Sequence, residues 1–484
     1  MRSVSTCLLT CLINCLPMTS AFAGEAIRRP NILFILIDDM GYGDLSCYGG
    51  TRVETSEIDR LAREGIRFTQ FYVNAPVCSP SRVSFTTGQY PNRWKITSYL
   101  ARREENRKRG LADWLSPKAP SLARSLSQAG YHAAHIGKWH MGGQRDVGDA
   151  PLIGEYGFAA SLTNFEGLGE RILPLFELRK NGKPFNHGPT RMSAELGGGP
   201  IHWVRRHKVT ESFVDRAMEE IRTAVAKDRP FYVNLWLDDV HTPVQAPPDL
   251  RGNGSREAHY LGVMKEMDRQ LGRIFGFIRS QPLLRDNTII LLASDNGPEP
   301  GFGSSGGLRG GKCMLYEGGI RSPLIVWYGG IPASAIGSTN ERTVLAGMDV
   351  PPSLLTLANV PTPADVEFDG LDMADALVGR ASPKREQPIM WVRPPDRPGP
   401  DHTWPDLAIR DGDWKLLIFR DGSKPELFNL AADPRESRNL ADKYPEAVRR
   451  LSSKVIGWDK ITPSLSLSAA MKARESSPVR VTWK

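Results

Sequence analysis

Asn31-Ile32-Leu33-Phe34-Ile35-Leu36-Ile37, followed at once by Asp38-Asp39, is the stretch on which the reading of this chain turns. An apolar run with no polar alternation is the pattern of a strand covered on both faces, as in a parallel sheet. Gly41-Tyr42-Gly43 then turns the chain. Two carboxylates at the carboxyl end of a buried strand stand where open α/β sheets place their ligands. A rigid strand delivers them to one place, which suits a cation site better than a solvated loop.

The same arrangement recurs. Residues 131–136 predict a strand running into Gly137-Lys138-Trp139-His140. Residues 231–237 (FYVNLWL) lead into Asp238-Asp239-Val240-His241, and 287–293 (NTIILLA) into Ser294-Asp295-Asn296-Gly297. A further apolar strand is expected over 323–328. Helical patterns lie between them, at 56–64 (closed by Gly65), 121–129 (stopped by Gly130), 209–225 and 256–278. Alternating strands and helices predict an α/β fold, a large mixed and mostly parallel sheet sandwiched by helices. In such a sheet the polar strand ends meet at one edge. Alone, each of these residues reads as a loop or turn residue; at the ends of four strands they read as a site.

Between two of these strands lies Val77-Cys78-Ser79-Pro80-Ser81-Arg82. Ser79 and Pro80 suit a helix start and Gly88 a stop. Cys78 then lies at the positive end of a helix dipole, with Arg82 one turn on along the same face. Lys312 sits on a Gly-rich loop after the fourth strand. Residues 141–208 are Gly-rich and are expected to be irregular, an insertion or long loops that shape a pocket.

Of 484 residues, 40% are hydrophobic and 24% charged, which excludes a disordered chain and allows a large domain plus a small one. Arg2, the apolar stretch 7–16 and Ala21-Phe22-Ala23 predict a signal peptide over 1–23, too short to span a bilayer. The expected protein is exported, periplasmic or secreted, without stable membrane insertion. Removing the signal removes Cys7, Cys11 and Cys15 and leaves Cys47, Cys78 and Cys313, an odd set that suggests a chemically used thiol. The net charge of +8 favours anionic partners. Export and the lack of any nucleic-acid-binding signature exclude nucleic acid and favour acidic or sulfated glycans. After a catalytic domain over 24–382, residues 383–484 change character. Paired strands over 407–419 with a turn at Asp411-Gly412, a strand at 426–430 and a helix at 445–453 predict a smaller C-terminal α+β domain with an antiparallel sheet.

These residues carry a resemblance. RPNILFILIDDMGYGDLSCYG (29–49), CSPSR (78–82), GKWHMG (137–142), HTP (241–243), DNG (295–297), GGKCMLYEGGIRSP (310–323), AIRDGDWKLL and ELFNLAADPRESRNLA resemble, in order, the motifs of the formylglycine-dependent sulfatases, in the alkaline-phosphatase-like superfamily. CxPxR is the most specific of them. Cys313 after Lys312, and Thr86-Thr87-Gly88-Gln89, depart from the usual pattern without touching a catalytic position.

The resemblance implies that a maturation enzyme oxidises Cys78 to Cα-formylglycine. It implies that Asp38, Asp39, Asp295, Asn296 and residue 78 hold a divalent cation, Ca²⁺ in preference to Mg²⁺, in keeping with hard oxygen donors. Residue 78 as a hydrated aldehyde would attack sulfur, His241 and Lys312 would serve the leaving alcohol, His140 would accept a proton when sulfate departs, and Lys138 and Arg82 would stabilise negative charge. The implied activity is hydrolysis of an O-sulfate ester, on a sulfated small molecule or glycan. The alternatives are a phosphodiesterase or phosphonate monoester hydrolase of the same superfamily and a non-catalytic sulfated-glycan binder. The loops 99–114, 141–208 and 391–404 are expected to select the sugar, with Arg102, Arg103, Arg393 and His402 as candidates. The other histidines, His132, His135, His187, His202, His207 and His259, are given no catalytic role.

Overall fold

The computed structural model describes residues 29–177, 188–394 and 404–461. The stretch 1–23, His187 and His402 lie outside the described residues. The main sheet has eleven strands. They are β1 (Asn31–Ile37), β2 (Ile66–Tyr72), β3 (His132–Gly137), β4 (Ala160–Thr163), β5 (Arg171–Leu175), β6 (Ile201–Arg205), β7 (Phe231–Leu237), β8 (Thr288–Ser294), β9 (Arg321–Tyr328), β10 (Thr339–Asn340) and β11 (Leu345–Ala346). Their order is β10-β2-β9-β8-β1-β7-β3-β4-β5-β6, with β11 also on β2.

β1 lies at the centre, parallel to β7 on one side and β8 on the other. Its apolar run is continuous because its two faces enter two different cores. Ile32, Phe34 and Leu36 pack on one side of the sheet, Leu33, Ile35 and Ile37 on the other. Each such side chain, fully buried, contributes about 1.5–3 kcal/mol. Helices Ser56–Glu64, Val209–Ala226 and Arg256–Arg279 cover the second face through Ile58, Leu61, Phe213 and Leu271. Helix Cys78–Thr87, with all ten residues buried, packs on the first through Val83 and Phe85.

Among the described strands of this sheet, only β9 opposes its neighbours, running antiparallel to both β8 and β2. Its N-terminal end therefore meets the carboxyl ends of the parallel strands, and this brings the loop before it, with Lys312, to that edge. Residues 141–208 are not irregular throughout. β4, β5 and β6 extend the sheet in parallel beyond β3. Strands of four or five residues, separated by glycines and lying at a sheet margin, carry too short a pattern to stand out.

A second, antiparallel sheet is built from β12 (Ile389–Val392), β13 (Leu407–Asp411), β14 (Trp414–Ile418) and β15 (Glu426–Asn429). Its alternation is clean. Trp391, Ala408, Leu417 and Phe428 join the core of the main sheet. Leu407, Ile409, Leu416 and Ile418 face Leu451 and Val455 of helix Pro445–Ile461, which runs eight residues past the expected end at 453. One face of this sheet, beyond the expected boundary at 382/383, shares the main core.

Candidate active site

β1, β3, β7 and β8 are parallel, so their carboxyl ends open on one edge. Asp38, Asp39, Lys138, His140, Asp295 and Asn296 are all buried there, and Cys78 enters the same edge from the end of β2. Cys78 is the first residue of its helix, with Val77 as the extended N-cap and Gly88 closing it in the left-handed region at φ 69°. Ligand atoms of Asp38, Asp39 and Cys78 lie within 4.8 Å of one another.

Arg82 is wholly buried and ties the strand ends together. It reaches Asp295 Oδ2 at 2.7 Å and Asp38 Oδ1 at 3.3 Å, donates to the Lys138 carbonyl at 2.8 Å, and lies 5.4 Å from the Trp236 ring centre. Lys138 Nζ is 2.6 Å from Asp38 Oδ2. Lys312 Nζ is 2.6 Å from Asp39 Oδ2, with His241 Nε2 3.8 Å from the same oxygen. Asn296 Nδ2 donates to Asp39 Oδ1 at 2.8 Å. His241 Nδ1 lies 2.7 Å from the Thr242 carbonyl, which keeps a proton on that nitrogen. All the residues expected at the site are thus brought together.

Burial and mutual repulsion act strongly on the acids. Burial, with Asp38 adding to it, pushes Asp295 up to about 8, and burial also raises Asp39. Asp38 goes the other way, because Lys138, His241 and Arg82 outweigh its burial. Burial raises Cys78 well above an ordinary thiol, so the unmodified side chain is a neutral, poorly nucleophilic SH. His241, a quarter exposed at its side chain, is lowered to about 3 by desolvation and by Lys138 and Lys312.

The residues fit a hard cation. Among the described residues, Asp38 Oδ1 and Asn296 Oδ1 are buried acceptors that receive no hydrogen bond, the first having only the Arg82 charge 3.3 Å away. With Asp39 and Asp295 they form a donor set made of oxygen, which suits Ca²⁺ or Mg²⁺ over softer metals.

One residue of the site was not anticipated. Glu166, 3% exposed, stands beyond the end of β4. Its Oε2 is 2.9 Å from His140 Nδ1 and 3.1 Å from Lys138 Nζ. The strand-end rule would have found it, had β4 been recognised.

Two of the sugar-selecting candidates are engaged elsewhere. Arg393 is buried, with its guanidinium 2.8 Å from Asp406 and donating to the Pro394 carbonyl, because it closes the margin of the second sheet. Arg103 pairs with Asp113 and Asp149 and lies over Trp114. Arg102 remains exposed. Among the other described histidines, His132 and His202 pair with Glu220 and Glu170. His135 is enclosed by Trp139, Phe158 and Trp236.

A mostly parallel central sheet with acidic strand ends and a flanking antiparallel sheet places the chain in the alkaline-phosphatase-like class. Comparison narrows it. The sulfatase family model matches residues 30–360, and that of the N-sulphoglucosamine sulphohydrolase C-terminal region matches 310–458. The chain is similar to N-acetylgalactosamine-6-O-sulfatase of Bacteroides thetaiotaomicron, 29% identical over 89% of this chain and 93% of that protein. It is 31% identical to N-acetylgalactosamine-6-sulfatase of Sus scrofa over 76% of this chain and 69% of that one. A solved structure from work on glycosaminoglycan metabolism by Bacteroides thetaiotaomicron superposes with TM-score 0.71 and 26% identity, covering 90% of this chain and all of the other. The chain belongs to the sulfatase family and is a sulfuric ester hydrolase.

Proposed function

We propose that this protein is an exported carbohydrate sulfatase that removes an O-sulfate through residue 78, oxidised from cysteine to Cα-formylglycine by a maturation enzyme, beside one Ca²⁺. The observation that carries the reading is the convergence of Cys78 with Asp38 and Asp39 within 4.8 Å in a buried ring of cations. The metal and the hydrated aldehyde, once in place, supply an activated hydroxyl nucleophile and screen the sulfate charge.

The chain's own side chains do the rest. Asp38, Asp39, Asp295 and Asn296 would hold the cation. Arg82, on the helix that carries residue 78, holds Asp295 and Asp38 through its guanidinium. Lys138 and Lys312 place positive charge beside Asp38 and Asp39, where sulfate oxygens would gather. His241 and Lys312 are assigned to the leaving oxygen, as proton donors or charge stabilisers, with Lys312 the one that carries a proton to give, and His140 to proton uptake when sulfate is expelled. Among the described residues no helix is long and apolar enough to cross a membrane.

The names of the relatives make 6-O-sulfated N-acetylgalactosamine the first substrate to test. The experiment is sulfate release from a panel of defined sulfated sugars and an aryl sulfate, using protein with verified oxidation at position 78 and a Cys78→Ala control. Release by the oxidised protein alone supports the reading. Faster turnover of phosphate diesters or phosphonate monoesters than of any sulfate ester would replace it with the superfamily's phosphoester chemistry. Tight binding of sulfated glycan without turnover would replace it with a binding role.

A further inference from the structure

We propose that Glu166 is the positioning residue of His140, fixing the ring's proton on Nδ1 so that Nε2 is left to accept the proton that catalysis releases. This rests on the sulfatase reading for the role of His140, but its geometry stands by itself.

Glu166 grips His140 through both backbone and side chain. The His140 amide donates to the Glu166 carbonyl at 2.7 Å, and Glu166 Oε2 is 2.9 Å from His140 Nδ1. Both side-chain atoms are buried, and among the described residues neither makes a hydrogen bond to any other group; Lys138 Nζ stands 3.1 Å from the same oxygen. Glu166 is itself held. Its amide donates to Asn164 Oδ1 at 3.0 Å, Asn164 Nδ2 donates to Asp238 Oδ2 at 3.1 Å, and the Arg206 guanidinium binds Asp238. The chain Glu166–Asn164–Asp238 thus joins the end of β4 to the end of β7, from which His241 follows. His140 adopts φ 52°, a left-handed conformation that a side chain of this size holds only when its surroundings enforce it.

The other face of the ring decides the tautomer. His140 Nε2 lies 2.9 Å from the Leu100 carbonyl. A neutral ring carries one proton, and the two acceptors compete for it. A buried carboxylate is the stronger acceptor, because a charge-assisted hydrogen bond is roughly twice as strong as a neutral one. The Leu100 carbonyl can release the ring without loss, since Arg145 Nη1 already donates to it at 2.8 Å. The charged groups around the ring are the Glu166 carboxylate, the Lys138 ammonium and the Arg145 guanidinium. Only the carboxylate favours a proton on the imidazole. Without it, the proton moves to Nε2 and settles on Leu100, and the nitrogen needed as base is blocked.

The test compares wild type with Glu166→Gln and Glu166→Asp by two readouts. The first is ¹⁵N-histidine NMR of the full chain in a Cys78→Ala background, with the His140 signal assigned by His140→Gln. It needs neither oxidised residue 78 nor turnover. The neutral ring is expected as the Nδ1–H tautomer with Glu166, as Nε2–H in Glu166→Gln, and again as Nδ1–H in Glu166→Asp. The second is steady-state hydrolysis of an aryl sulfate by oxidised protein. Glu166→Gln should lower kcat on the order of 10–100-fold with KM little changed, and Glu166→Asp should restore part of it. A wild-type His140 that carries its proton on Nε2, or a Glu166→Gln enzyme with unaltered kcat, overturns the proposal. If Glu166→Gln does not fold, the wild-type tautomer and the Glu166→Asp kinetics decide it alone. A correct tautomer shift in a protein that releases no sulfate from any ester would sink the functional reading and leave the positioning role intact.

Discussion

Lys415 should be the most sensitive residue holding the second sheet to the first. It lies in β14 with no exposed side-chain surface, its Nζ 2.9 Å from Glu317 Oε1 and 2.8 Å from Glu436 Oε1. Tyr72 also donates to Glu317 at 2.6 Å, and the Glu317 amide donates to Glu436 Oε2 at 2.7 Å. Lys415→Met keeps most of the stem and removes the charge, leaving two buried carboxyls facing each other. Removing one partner of a buried pair costs about 3–5 kcal/mol. The cost depends on pH in a defined sense. Burial, with Glu317 adding to it and Lys415 opposing, raises Glu436 from 4.5 to about 7. A folded-state value above the unfolded one means that the stability tied to this proton is complete below about pH 4.5 and is lost as pH rises through 7. The substitution removes Lys415, which had lowered Glu436, and so drives it further up. Below pH 7 Glu436 is protonated in both proteins and adds little to the difference; each pH unit above 7 adds about 1.4 kcal/mol until the variant's own value is reached. Urea unfolding at pH 5.5 and pH 8, followed by tryptophan fluorescence, should show an earlier transition for the variant at both, with the wider gap at pH 8. A variant that unfolds with the wild type at pH 8, or a gap that is the same at both values, refutes the reasoning.

Three other outcomes are expected. Cys78→Ala should lose at least about 10³-fold in sulfate release while its unfolding transition stays near that of the parent; near-normal turnover would remove residue 78 from the chemistry. EDTA should lower sulfate release and added Ca²⁺ restore it, and the same protein should melt higher with Ca²⁺ present, because a ligand bound only by the folded state stabilises it; indifference of both rate and melting would remove the cation assignment. Gly137 holds φ 112°, and a β-carbon there would stand 2.0 Å from the Trp236 carbonyl. Gly137→Ala should therefore force β3 away from β7, cost roughly 2–4 kcal/mol and displace Lys138 and His140; a variant with parental melting and turnover would show that the strand end tolerates the shift.

What the sequence made legible, and what it hid, follows from where each residue's information lies. β1, β7 and β8 are covered on both faces, so their apolar runs are unbroken and their ends stand out. That is why Asp38, Asp39, His241, Asp295 and Asn296 could be placed from the chain alone. Cys78 and Arg82 were legible because a helix start and one helical turn are local patterns. Glu166 was hidden because its strand, Ala160–Thr163, has four residues at mixed burial, and its role exists only through parallel pairing with β3. Arg393 misled in the opposite way. An arginine in a Pro-rich stretch looks like a solvated loop residue, and its partner Asp406 lies thirteen residues on, beyond any helical or strand period. The Glu317–Lys415–Glu436 cluster could not be read at all, since its members come from the short helix Glu317–Ile320 before β9, from β14 and from the loop after β15. Periodicity therefore reports which face of an element is buried, while charge pairing across elements appears only after the sheet has closed. The residues assigned to bond-making and those assigned to holding them in place differ in this respect. The first sit on strong local patterns, and the second, Glu166 above all, depend on contacts that no short window of sequence contains.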